Sequence, residues 1–289
     1  MKSPAKLKPQ SDGNSGNSGN SGNSGNSGNS GNLGLPAGAP VIPLDPLDPA
    51  GPMPMITGGT YPDTWWAPQW ATQLVIGDFA KTDWQTVLMP ERSDDPDFLA
   101  KQVGALMDMR ALRPSRLADI VAQSDVIDTL FEHLLMADAG RRPGTTTLVH
   151  VAMGVGTLVS MYWKDRYKKA RPSQIYPALL PVIQVPSHPS YPSGHALQSY
   201  LAVHLVTGAL QDICGAAIEP PLEALALQIA TNREIAGLHF PADSEASRLL
   251  AFQLAPRILA LDRMKPIIAR ARSEWAGVGV GEPAKPKQG

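Results

Sequence analysis

Apolar positions through the middle of the chain recur every three or four residues, the spacing of a buried helical stripe. Pro96-Asp97-Phe98-Leu99 opens one such run, with Phe98, Val103, Leu106 and Met107 on its apolar side. Pro114 opens a second, in which Ile120, Val121, Val126, Ile127, Leu130, Phe131, Leu134 and Leu135 predict one broad face that stops near Gly140. A third runs from Thr145 to about Lys169 and closes ahead of Arg171-Pro172. Proline suits the first turn of a helix and is excluded from its interior. Pro192, Pro221 and Pro241 therefore mark three further starts, of helices ending near Cys214, Gly237 and Leu261. Pro177, Pro181, Pro186 and Pro189 make the stretch from Pro172 to Pro192 an irregular loop. Strand-type alternation of useful length is missing. The pattern predicts an all-α protein built as a single bundle of six or seven helices.

Composition changes this picture mainly at the ends. Asn-Ser-Gly repeats six times from Asn14 to Gly31, and the chain from Leu33 to Tyr61 is rich in Pro and Gly. A tract with nothing apolar to bury cannot offset the cost of ordering its backbone. Residues 1–62 are expected to form a disordered arm, 63–276 the folded domain, and 277–289 a flexible tail. The net charge of −1 offers no basic field, so no nucleic-acid partner is expected. Cys214 is the only cysteine, which excludes a disulfide framework or a Cys-rich zinc site; its apolar neighbours predict a buried, inert thiol. Trp65, Trp66, Trp70 and Trp84 are expected to be packing anchors.

Met1–Gln10 carries lysines with no apolar run behind them, so no secretory signal is expected, and a cytoplasmic or otherwise soluble location follows. Thr145–Trp163 is read as the most apolar stretch and could just reach across a bilayer. With no second comparable span in view, a central buried helix is expected rather than a membrane span.

Three short segments carry candidate chemistry. Lys164 and Arg171 are seven residues apart, two helical turns, which predicts that both project from one face. Arg166, Lys168 and Lys169 leave open a merely solvated cationic face. Pro192-Ser193-Gly194-His195 stands where the Pro-rich loop meets a helix. Helix-start amides lack internal partners and attract anions, Gly194 permits close approach, Ser193 adds a hydroxyl, and His195 can exchange a proton. A plain helix start with a capping histidine is the alternative. Arg233, His239 and Asp243 bracket the junction of two helices. Asp243 there could accept the N–H of His239 and leave its other nitrogen free as a nucleophile, could compensate the helix dipole, or could do both.

Together, Lys164-x6-Arg171-Pro172, Pro192-Ser193-Gly194-His195 and Arg233-x5-His239-x3-Asp243 resemble the type 2 phosphatidic acid phosphatase (PAP2) and vanadium-dependent haloperoxidase superfamily. One departure is Asn232, where the family usually has Ser. The resemblance implies an enzyme with His239, His195 and Asp243 as catalytic residues. Lys164, Arg171, Ser193, Gly194 and Arg233 would bind phosphate or vanadate. The expected function is hydrolysis of a small-molecule phosphate ester through a phosphohistidine on His239, with His195 as acid and base and no cofactor. The alternative is a bromoperoxidase-like enzyme acting on halide and hydrogen peroxide, with vanadate bound to His239. His188, seven residues before His195, suits that alternative and is a possible accessory residue, or else a loop histidine bonded to backbone. Met161 speaks against it, because haloperoxidases usually carry Trp at that position. A catalytically silent oxyanion-binding domain is the third reading. The sequence fixes no organic group, halide or oligomeric state.

Overall fold

The computed structural model describes residues 59–62, 65–90 and 93–277. The arm expected over 1–62 lies outside them except for its last four residues, and of the tail expected over 277–289 only Gly277 is described. Among the described residues every regular element is helical and no strand occurs. In chain order these are α1 (Pro68–Phe79), α2 (Pro96–Met109), α3 (Arg113–Ala122), α4 (Asp128–Leu134), α5 (Pro143–Tyr167), α6 (Pro172–Ile175), α7 (Gly194–Cys214), α8 (Glu219–Ile235), α9 (Pro241–Leu259) and α10 (Met264–Trp275). Proline opens α1, α2, α5, α6 and α9, where a missing N–H costs nothing.

The long helices α5 and α7 lie against each other at the centre, with α1 and α10 on α5 and with α8 and α9 on α7. Val151, Val155 and Val159 of α5 and Leu197, Leu201 and Leu205 of α7 share one continuous core. A side chain at Gly156 would come within 2.7 Å of Gln198 Cγ and 3.1 Å of its Cα, so glycine there is what lets the two axes approach. The N-terminus of α5 is closed by Glu274 of α10, whose carboxylate accepts from the Gly144 amide at 2.6 Å and the Thr145 amide at 2.9 Å. A carboxylate at that end of a helix also compensates its dipole. Arg113, opening α3, donates to the carbonyls of Ile235 (2.9 Å), Leu180 (2.7 Å) and Leu179 (3.1 Å). It fastens the Pro-rich loop to the end of α8.

Several expectations need correction. The single helix expected from Pro114 to Gly140 is two, α3 and α4, parted by a turn at Gln123–Ile127. Ser124 turns its hydroxyl onto the Val121 carbonyl (2.6 Å), a local bond that competes with helix continuation. Ile120, Ile127, Phe131 and Leu135 are buried, but Val121, Val126 and Leu134 are exposed, since the turn rotates one half of the stripe away from the other. Helices α1 and α10 had no counterpart in the periodicity. Of the four tryptophans only Trp84 is a buried anchor, stacked on Phe79 at 5.7 Å. Trp70 is exposed because α1 turns Thr72, Val75 and Phe79 inward instead, and Trp65 and Trp66, which precede that helix, are exposed as well. Cys214 is buried, as expected.

The view of a single apolar span is also overturned. Pro143–Ile175, of mean hydropathy 1.2, and Gly194–Ile235, of mean hydropathy 1.5, are both long and apolar enough to cross a bilayer by length and composition. In this fold 67% and 56% of their most apolar windows are buried among other helices.

Candidate active site

The corner between α8 and α9 sets the site. Helix α8 ends in a left-handed Gly237 (φ 82°), with the Gly237 amide on the Glu234 carbonyl (2.8 Å) and the Leu238 amide on the Arg233 carbonyl (3.0 Å). This is a Schellman stop, and it reverses the chain immediately after Arg233. Four residues after Gly237, Pro241 opens α9, with Asp243 in its first turn. Asp243 Oδ2 reaches back to the Phe240 amide (3.1 Å), as the acid of a capping box does, and also meets His239 Nδ1 at 3.2 Å. The capping and orienting geometries expected of Asp243 therefore coexist on one oxygen.

Asp243 is fully buried and richly bonded. Ser190 Oγ donates to Oδ2 at 2.5 Å, and Lys169 Nζ to Oδ1 at 3.1 Å. Burial opposes its charge, but the His239, Lys169 and Ser190 contacts outweigh it and hold the carboxyl below the usual carboxylate range. Asp243 stays an anion, so it accepts a hydrogen bond from His239 Nδ1–H. The other imidazole nitrogen, Nε2, faces Arg171 Nη1 at 3.1 Å and serves as acceptor. Burial and the neighbouring Arg171 keep the His239 pKa well below its ordinary value, which leaves a neutral ring with its lone pair on Nε2.

Arg171 knots the site together. Besides His239, it donates to the Leu238 carbonyl (2.8 Å), to the His188 carbonyl (3.0 Å) and to His188 Nδ1 (3.0 Å). Lys164 Nζ donates to the carbonyls of Pro189 (2.7 Å) and Ser190 (2.8 Å). Burial, then repulsion from Arg171, pushes its ammonium down to about 7. The two cations do not share a helical face as expected. Helix α5 ends at Tyr167, Lys168 is left-handed (φ 47°), and Arg171 caps the separate short helix α6.

A second group lies on the α3 side. His195 Nε2 meets the Gln123 carbonyl at 3.1 Å, so Nε2 carries the ring proton and Nδ1 is the basic nitrogen. Burial and Arg233 bring its pKa down to about 4. Arg233 is buried, donates to the Ile120 carbonyl (2.7 Å), and has no partner on its buried Nε. Asn232 donates to Gln123 Oε1 (2.8 Å), and so braces the residue that holds His195. Among the described residues no hydrogen bond joins the two imidazoles. The groups meet through the main chain, where the Ser193 amide donates to the Asp243 carbonyl (3.2 Å). Pro192 lies outside α7, contrary to the expected helix start. Ser193 is the N-cap, its hydroxyl accepting from the Ala196 amide at 3.5 Å. The amides that lack an internal helical partner are thus those of Gly194 and His195, not that of Ser193.

Three segments far apart in sequence thus bring a neutral histidine, an orienting carboxylate and buried cations into one region, in the order the superfamily resemblance demands. Residues 145–265 match the family model of the PAP2 superfamily. The matched segment contains every candidate site residue and helices α7, α8 and α9 whole, with nearly all of α5. No curated protein matches the chain. Several solved structures are similar to it, two enzymes among them. One is a bacterial vanadium-dependent iodoperoxidase, at 19% identity over 61% of this chain and 53% of that chain, with TM-score 0.47. The other is a transmembrane PAP2-type phosphatidylglycerolphosphate phosphatase from Bacillus subtilis, at 14% identity over 68% of this chain and 85% of that chain, with TM-score 0.35. The chain spans about half the length of the iodoperoxidase.

Three neighbours of the site escaped the sequence reading, and a fourth, Asn232, stood there only as a departure from the usual Ser. Lys169, treated there as part of a cationic surface, is buried against Asp243 and between the Phe240 and Tyr191 rings. Ser190 serves Asp243, and Gln123 with Asn232 serves His195. Ser190 carried a usable signal, standing beside the Pro-Ser-Gly-His string. Gln123 carried none, because its role depends on a break in a helix that the periodicity runs straight through.

Proposed function

We propose that this protein is a phosphomonoester hydrolase whose catalytic domain spans residues 63–276. The observation that carries the reading is an excess of buried positive charge around a neutral histidine. Among the described residues Lys164, Lys169, Arg171 and Arg233 are buried, against only Asp243 and Glu234. Lys169 is matched by Asp243, and burial pushes the Glu234 carboxyl up to about 7. Uncompensated buried cations are costly, and a bound oxyanion is the partner that removes the cost. Lys164 has one N–H to spare after its two carbonyl bonds, Arg171 has one after its four contacts, and Arg233 has its orphaned Nε.

In the reaction, an arriving phosphate monoester draws Arg171 off His239 Nε2 and onto its own oxygens, freeing the lone pair. Nε2 attacks phosphorus in line, the bond to the ester oxygen breaks, and His195 gives that oxygen a proton. Ring charge developing on His239 is stabilised by Asp243. His195 is neutral at rest, but a phosphate dianion beside it raises its proton affinity and supplies the acid form. Water then attacks phosphorus, passes its proton to His195 Nδ1, and the P–N bond breaks to return His239. Lys164, Arg171, Arg233 and the Gly194 amide stabilise the equatorial oxygens throughout.

A second reading is favoured by one observation: His188 is drawn into the Arg171 network rather than left on the loop surface. The donor set fits a vanadate ion as well as phosphate, with His239 Nε2 as its protein ligand and the same three cations on its oxygens. Bound there, vanadate would supply Lewis-acid activation of peroxide for halide oxidation. One preparation assayed with p-nitrophenyl phosphate, and separately with vanadate, peroxide and bromide, decides between them. Nitrophenol release is expected. Bromination without it would replace the first reading by the second.

The lowered Lys164 pKa gives the anion site a pH dependence. Above about pH 7 the free protein loses that cation, whereas a bound anion holds the proton on. Sulfate keeps its charge across this range, so its Kd is expected to rise between pH 7 and 9, by up to about tenfold per unit. Lys164→Met should bind sulfate weakly with a flat profile; an unchanged slope in that variant removes Lys164 from the site.

A further inference from the structure

A cavity of about 600 Å³ is lined by Lys168, Lys169, Arg171, Gln174, Ser187 and His188, together with apolar Ala170, Val185, Pro186 and Pro189; His239 is not among its lining residues. No carboxylate lines it. Its volume suits a small organic ligand. Arg171 touches His239 Nε2 with one nitrogen and His188 with another, and both Arg171 and His188 line the cavity, so this space adjoins the site through Arg171.

The uncommitted donors in the cavity all favour an anion. Lys169 is engaged with Asp243, but the exposed ammonium of Lys168 has no acceptor among the described residues. Gln174 uses Oε1 to accept from the Arg171 amide (2.7 Å), which leaves its NH₂ as the free end. Lys168 also holds a backbone conformation that favours glycine, at φ 47° and ψ 36°. An L side chain there costs on the order of 1 kcal/mol. The turn would form more easily with glycine, and a lysine occupies it instead.

We propose that this cavity receives the leaving group of the substrate, and that this group bears a second anion, a phosphate or a carboxylate held by Lys168 and Gln174. The proposal rests on the phosphohydrolase reading above. It predicts a preference for compact, doubly anionic phosphate esters over esters of neutral alcohols.

The test compares methylphosphonate with methylenediphosphonate and phosphonoacetate, titrated by calorimetry into the wild-type protein and into Lys168→Gly. Glycine is at ease at this φ, so the variant is expected to melt no lower than wild type. At least one of the doubly anionic ligands should bind wild type about tenfold more tightly than methylphosphonate, a difference worth one charged hydrogen bond. Lys168→Gly should lose that advantage and change methylphosphonate affinity by less than about twofold. Equal affinities of all three ligands for wild type, or equal weakening of all three in Lys168→Gly, would overturn the inference and leave the phosphohydrolase reading standing. Failure of every ligand to bind wild type would overturn both.

Discussion

Turnover of a phosphomonoester is expected to fall by at least about 10⁴-fold in His239→Ala, with the fold and the binding of orthophosphate retained. The size follows from what the ring supplies. Its Nε2 is a neutral nucleophile set among buried cations, and Asp243 fixes its tautomer from the other side. Without it only water remains to attack, aided by charge stabilisation alone. The fold should survive because the partners of His239 keep other bonds. Asp243 retains Ser190, Lys169 and the Phe240 amide, and Arg171 retains Leu238 and His188. Phosphate affinity should change by no more than a few-fold, since the cations are untouched. Steady-state kinetics, thermal melting and phosphate titration on the same sample check all three. A variant retaining a tenth of wild-type turnover would remove His239 from the nucleophile role, whichever residue then replaced it.

How far the sequence revealed this arrangement depends on the kind of signal each part carries. Helices α5, α7, α8 and α9 were legible because proline starts, glycine or loop stops and long apolar runs agree. Helix α1 was not, since its inward residues Thr72, Val75 and Phe79 stand beside four tryptophans that dominate any hydrophobic count. Helix α10 is polar on most of its surface and buries only Met264 and Ala271, so its place is set by Glu274 and Trp275 gripping the start of α5. The His239–Asp243 contact was legible because four residues across a helix start put both groups at one corner. The Lys164–Arg171 spacing misled, because regular periodicity cannot foresee a left-handed Lys168. What bonds His195 was out of reach. It comes from the carbonyl of Gln123, and the main chain is invisible in a sequence until a turn exposes it. The unusual Asn232 gains its meaning only there, as the donor that steadies Gln123.

Asp243 is expected to be the most sensitive position for stability as well as turnover, and its two substitutions should separate the effects. Asp243→Ala strands the Lys169 ammonium in the core with no anion, and leaves the Ser190 hydroxyl and Phe240 amide without their acceptor. Breaking one side of a buried pair costs about 3–5 kcal/mol, enough to unfold a large part of many single domains. Asp243→Asn keeps a carbonyl for the Phe240 amide and the packing volume, so its loss should be smaller. That same carbonyl faces His239 Nδ1 but carries no charge, so it would not stabilise the ring charge of the attack, and the NH₂ falls against the Lys169 ammonium. Turnover is therefore expected to drop by about 10³–10⁴-fold even where the fold persists. Lys169 tells the two apart. In the double variant Asp243→Asn with Lys169→Met, the buried cation is gone, and most of the lost stability should return while turnover stays low. Full recovery of turnover in that variant would mean that Asp243 acts only by balancing Lys169. A double-mutant cycle in denaturant midpoint and in kcat, run on the same proteins, separates a carboxylate that holds the corner together from one that sets the proton on His239.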